Sequence, residues 1–136
     1  MDLDFAEFCF CALGRIMGSS VNEGSAGVMD TKLVHLSQVP ISTGLPESLD
    51  DPIKPELFRG FHEGRLGVLV GVTQFGANHV TLEPGSASAL RHWHEAEDEF
   101  VYILSGELTL VDDNGEHALT LRTATSSVFR RTRKKS

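Results

Sequence analysis

Apolar and polar positions alternate in short runs over the second half of this chain. Leu66–Thr73, Asn78–Glu83, Ala89–His94, Glu99–Leu104, Glu107–Val111 and Glu116–Leu121 each read as a strand. Turn-forming residues separate several of them: Pro84-Gly85, Ser105-Gly106 and Asp112-Asp113-Asn114-Gly115. Asn-Gly between two such runs predicts a hairpin whose primed turn has positive φ at both central residues. Short strands at this spacing predict an all-β fold, a sandwich or a small barrel.

The strand after the acidic stretch has two apolar faces. Glu99, Val101 and Ile103 share one, and Phe100, Tyr102 and Leu104 share the other, as Trp93 does on its own strand. Both faces need cover, so a homodimer is expected unless the N-terminal segment covers the outer one.

The first half is less regular. Pro40, Pro46, Pro52 and Pro55 punctuate residues 37–64 and leave room only for short helices. Residues 1–28 have no steady period and are rich in Gly and Ser. They read as a poorly ordered tail, with at most a short helix over Asp4–Met17, or as the product of a start assigned upstream of Met29. Residues 29–121 form the expected domain, and 122–136 a basic tail.

Composition narrows the class. With 136 residues and 40% hydrophobic content, one domain with a real core is expected. The longest apolar run, Leu66–Val72, is far too short to span a bilayer. Asp2, Asp4 and Glu7 stand where a secretory signal carries basic residues, so a cytoplasmic protein is expected. Cys9 and Cys11 read as incidental thiols of a reducing compartment. The net charge is −7, yet residues 122–136 hold six of the 12 basic residues and none of the 19 acidic ones. The acidic body disfavours nucleic acid as the main partner, and the basic end reads as a frayed tail.

Chemistry concentrates in Arg91-His92-Trp93-His94-Glu95-Ala96-Glu97-Asp98-Glu99. In an extended segment His92 and His94 face the same way, and a hairpin returns Glu99 to meet them. Two imidazoles and one carboxylate form the facial set that holds a divalent ion such as Fe, Mn, Ni, Co or Zn with coordination positions left open. Glu95, Glu97 and Asp98 read as a solvated acidic turn. Arg91 reads equally as an anion clamp or a surface ion pair. His79 is out of phase with Val80 and Leu82 and is expected to face solvent, and His117 is expected near a barrel end rather than among the ligands.

The order Gly85, six residues, His92-x-His94, four residues, Glu99, six residues, Gly106 resembles the first motif of the cupin superfamily, whose first gap is one residue shorter. The flanks Thr73-Gln74-Phe75-Gly76 and Glu99 to Leu108 are similar to those of small bacterial single-domain cupins. The resemblance spans about residues 30–120. It implies a jelly-roll barrel with His92, His94 and Glu99 on a metal. The second cupin motif, which carries Pro-x-Gly and a later His, is absent: no proline follows Pro84 and no histidine follows His117. A barrel incomplete at its C-terminal end is therefore expected. The change of composition after Thr120 suggests a shifted reading frame there.

The family includes dioxygenases, isomerases and non-catalytic binders. The leading expectation is a metal-dependent protein acting on or binding a small molecule. The alternatives are a sugar-like ligand-binding or sensory module and an inactive truncated fragment. No acid, base or nucleophile beyond the metal set is evident, so catalysis stays open.

Overall fold

A computed structural model describes residues 5–14, 31–44, 55–92 and 94–127. Within them the elements run β1 (Ala6–Gly14), β2 (Ile41–Thr43), β3 (Phe61–Gly64), α1 (Leu66–Val70), β4 (Phe75–Leu82), β5 (Glu97–Ser105), β6 (Glu107–Asp112), β7 (Gly115–Thr120) and β8 (Ala124–Ser127). Six strands form an antiparallel sheet in the order β2-β3-β4-β1-β5-β8, and β6 and β7 form a separate hairpin. The fold is all-β and of jelly-roll type. Its sheets do not close, as expected of an incomplete barrel. No helix among these residues is long and apolar enough to cross a membrane.

The core lies between the two layers. Ala6 and Phe8 of β1, Val80 and Leu82 of β4 and Ile103 of β5 pack against Leu119 of β7, with Leu108 and Leu110 of β6 at the margin. Ile103 is wholly excluded from solvent. The alternation on β5 follows the sequence: Val101 and Ile103 turn inward, while Phe100, Tyr102 and Leu104 remain 45%, 37% and 39% exposed. Trp93 lies outside the described residues.

Four expectations are overturned. Ala6–Gly14, read as tail or short helix, is instead an interior strand of the large sheet, paired with β4 on one side and β5 on the other. Its alternating Phe8, Phe10 and Cys9, Cys11 carry a period of two, which the glycine- and serine-rich stretch after it obscured. Leu66–Val70 is a helix, because a short apolar run has no period that separates strand from buried helix. It ends at Gly71, whose φ of 80° is the left-handed cap that glycine adopts without strain. The described residues of 89–94 form no strand. The pairing edges of β4 are filled by β3 and β1, and those of β5 by β1 and β8, so no place remains for it. At the C-terminal end, Ala124–Ser127 pairs with β5 where a tail was expected from residue 122.

The β6–β7 hairpin forms where Asn114-Gly115 predicts it, but with a different turn. Asp112 pairs with Gly115, and Arg122 is the only non-glycine with positive φ among the described residues, so Asp113 and Asn114 are not left-handed. The Asp112 carboxylate instead accepts the Asn114 backbone N–H at 2.7 Å. Gly106 does meet its expected role between β5 and β6. Its φ is 72°, and a Cβ there would collide with the carbonyl oxygen of Phe5.

Candidate metal centre

His92 and His94 sit in the loop that leads into β5, and Glu99 is the third residue of that strand. The loop brings the three together without the strand that the spacing predicts. Nε2 of His92 lies 3.1 Å from Nε2 of His94. Oε1 of Glu99 lies 2.9 Å from His94 Nε2 and 3.8 Å from His92 Nε2. The imidazole planes cross at 88° with centroids 4.9 Å apart, so the rings converge by their edges rather than stacking.

This triangle fits a shared ion. Metal–nitrogen and metal–oxygen bonds of about 2.1 Å place donors about 3.0 Å apart at right angles and about 3.4 Å apart in a tetrahedron. The two shorter edges match a facial arrangement. The third corresponds to a wider angle of about 130° at the same bond length.

Neighbouring groups set the donor state. Nδ1 of His92 is 2.6 Å from the Leu90 carbonyl oxygen, an attractive contact only when that nitrogen carries the proton. Nε2 of neutral His92 then presents its lone pair to the cluster. Backbone contacts of this kind fix the tautomer of metal-binding histidines. Nδ1 of His94 faces the Glu97 carboxylate at 3.7 Å, and Glu95, Glu97, Asp98 and Glu99 give the segment a negative field. When both rings are neutral and Nδ1 of His92 carries its proton, one proton at most, on His94 Nε2, lies among three electron-rich donor atoms. A cation relieves that crowding.

The Leu90 carbonyl and Glu97 are the positioning groups that sequence reasoning missed. A backbone oxygen leaves no mark in side-chain spacing. Glu97 looked like one more residue of a solvated turn, although it stands three residues after His94.

The other chemistry-bearing residues fall elsewhere. Arg91 forms an exposed ion pair with Asp113 at 2.7 Å, which makes it a surface contact rather than an anion clamp. His117 is not among the ligands and bonds Asp112 at 3.0 Å across its own hairpin. The expectation that His79 faces solvent fails: it is only 9% exposed. Its phase on β4 was read correctly, but the outer face it points to is covered near Gly64 by the segment holding Val39 and Ile41.

The cluster opens to solvent. The side chains of His92, His94 and Glu99 are 46%, 37% and 20% exposed. Two cavities in the molecule lie away from it. One of about 480 Å³ is lined by Glu7, His35, His62, His79 and Thr81, and one of about 470 Å³ by residues that include Ile41, Phe61, Arg65 and Leu69. Among the described residues no barrel interior encloses the ligands.

Residues 78–130 match the family model described as Cupin domain. The match runs from β4 through β8 and includes all three donor residues and the stretch beyond residue 121. No curated protein matches the chain. No solved structure matches it either.

Proposed function

We propose that this chain, whose residues 78–130 match a cupin domain, is a cupin that binds a divalent transition-metal ion through His92, His94 and Glu99 and presents that ion to a small molecule. The observation that carries the reading is the convergence of the three donor atoms, all within 4.8 Å of one another. Neutral imidazole and carboxylate donors suit Fe(II), Mn(II), Co(II), Ni(II) or Zn(II). A bound ion of this kind supplies Lewis-acid polarisation to an oxygen-bearing ligand.

The protein's own groups do the positioning. The Leu90 carbonyl holds the His92 ring, and the Glu97 carboxylate lies beside the far nitrogen of His94. The open side of the cluster lets a ligand approach from solvent. That openness favours a binding or sensory module over an enzyme that must exclude water. Enzymatic turnover, of dioxygenase or isomerase type, is the second reading, supported by the facial ligand set with its open coordination positions.

We also propose that the chain forms a homodimer in the cytoplasm. The exposed Phe100, Tyr102 and Leu104 on β5 support the first part, and the two free cysteines the second.

Mn(II) tests the metal reading, because carboxylate and imidazole suit it better than thiolate. Titration followed by loss of the free-ion electron paramagnetic resonance signal is expected to show one ion per chain. Glu99→Gln is expected to weaken binding at least about tenfold, since it removes a charged ligand where even an outer partner costs about 10–100-fold. A His92→Ala, His94→Ala double variant is expected to abolish it. Equal binding by the double variant and the native chain rejects the proposal.

A further inference from the structure

The outer face of the large sheet carries two thiols side by side. Cys9 and Cys11 are two residues apart on β1 and point to the same side. Their Sγ atoms are 3.8 Å apart, and both side chains are partly buried. Across the ladders, Cys9 is opposite His79 of β4 and Tyr102 of β5, and Cys11 is opposite Ala77 and Phe100. Phe100 and Glu99 are consecutive on β5, so the thiols and the Glu99 carboxylate lie on opposite faces.

From this geometry we propose that Cys9 and Cys11 chelate a thiophilic d10 cation of the Zn(II) or Cd(II) class, at a site separate from His92, His94 and Glu99. The separation of the sulfurs is the main argument. Two thiolates bound to one ion at about 2.3 Å with tetrahedral angles stand about 3.8 Å apart. The native spacing already matches, with no strand movement required. A disulfide between the same residues is less well matched, because Cα atoms two apart on a strand are about 6.7 Å apart, at the upper limit for such a bond. The remaining coordination positions face the side of the sheet that holds His79, a buried imidazole beside the cavity of about 480 Å³.

Protonation sets how readily the site fills. Burial, and then contact with Cys11, raise the Cys9 thiol to about 11. The bound ion must displace that proton, so occupancy rises with pH. Glu7 on β1, His79 on β4, and Asp98 and Tyr102 on β5 are the other ionisable groups on this face along these strands.

Cobalt(II) distinguishes the two sites, because only thiolate ligation produces sulfur-to-cobalt charge-transfer absorbance in the near ultraviolet. The test uses the full chain, anaerobic, in mildly alkaline buffer with a phosphine reductant. The band is expected to grow until one ion per chain is bound at the thiols. It is expected to persist in the His92→Ala, His94→Ala double variant and to vanish in Cys9→Ser and in Cys11→Ser. No band in the native chain overturns the proposal, whatever the variants do. A band that survives either serine variant, or is lost with the two histidines, overturns it equally.

Discussion

The inner and outer faces of the six-stranded sheet are built from the same strands and hold their residues in different ways. The inner face is sealed by the β6–β7 hairpin, so that Phe8, Val80, Leu82 and Ile103 form one continuous core. The outer face is covered over β3 and β4, where Val39 and Ile41 meet Gly64, and uncovered over β5, where Phe100, Tyr102 and Leu104 reach solvent. Stability is thus concentrated on one side. Polar chemistry divides between the two: the Glu99 carboxylate lies at the edge of the inner face, and the two thiols lie on the outer one. The difference shows that alternation along a strand separates two faces but does not say which one will be covered.

Removing residues 1–28 breaks the comparison most severely. β1 contributes Ala6 and Phe8 to the core and holds β4 and β5 together through two ladders. Burial of one Phe is worth about 3–5 kcal/mol, against a total stability of about 5–15 kcal/mol for an ordinary domain. The shortened chain is expected to lose cooperative unfolding in urea, as measured by circular dichroism. If it still unfolds cooperatively, Ala89–His94 has taken the vacated position beside β5, the hairpin that its alternation with Glu99–Leu104 predicts.

A paired truncation on one strand contrasts the faces directly. Ile103→Ala is expected to cost about 2–5 kcal/mol, because the site is fully enclosed and cannot collapse onto the gap. Tyr102→Ala, one residue away and 37% exposed, is expected to cost less than about 1 kcal/mol in the monomer. Chemical denaturation of both variants measures the gap. Equal losses mean that something covers the outer face in solution, and such losses would then vary with protein concentration.

Legibility in the sequence follows the same division. β6 and β7 were readable because one face of each is covered and the other is not, which leaves a period of two; β4 because His79 and Thr81 alternate with Val80 and Leu82 although both its faces are covered; and β5 because it is a short apolar run bounded by the acidic stretch and Ser105-Gly106. The donor trio was readable because its members lie within eight consecutive positions. β1 was not, since its two partners are far along the chain and pairing leaves no local signal. The strand expected at Ala89–His94 failed for the complementary reason: its local pattern was sound, but β1 holds the edge it would need. The loop still brings His92 and His94 to Glu99. Convergence was therefore inferred correctly from a mechanism the molecule does not use. The Cys9–Cys11 pair had looked incidental, because its interest depends on a sulfur–sulfur distance that only the strand's geometry supplies.

The smallest expected effect lies at the turn end of the β6–β7 layer, past Leu110 on the same face, where the side chains reach water and titration is expected to leave the core untouched. Asp112 accepts a hydrogen bond from His117 at 3.0 Å and another from the Asn114 backbone. These contacts, the first above all, lower its carboxyl from 3.8 to about 2. A lowered folded-state value means that the ionised form favours the fold. Its contribution is fully present above the unfolded value near 3.8 and is lost as pH falls through about 2. His117→Ala removes the larger cause and keeps the backbone bond, so the Asp112 titration is expected to move up towards 3.8 without reaching it. Carboxyl carbon shifts followed by NMR between about pH 1.5 and 6 resolve the midpoint, the range spanning both values. The urea midpoint at neutral pH is expected to change little, because the pair is screened by water. An unmoved Asp112 midpoint would show that the turn, not the imidazole, sets the acidity. A large loss of stability would mean that the turn end of the hairpin bears on the core after all.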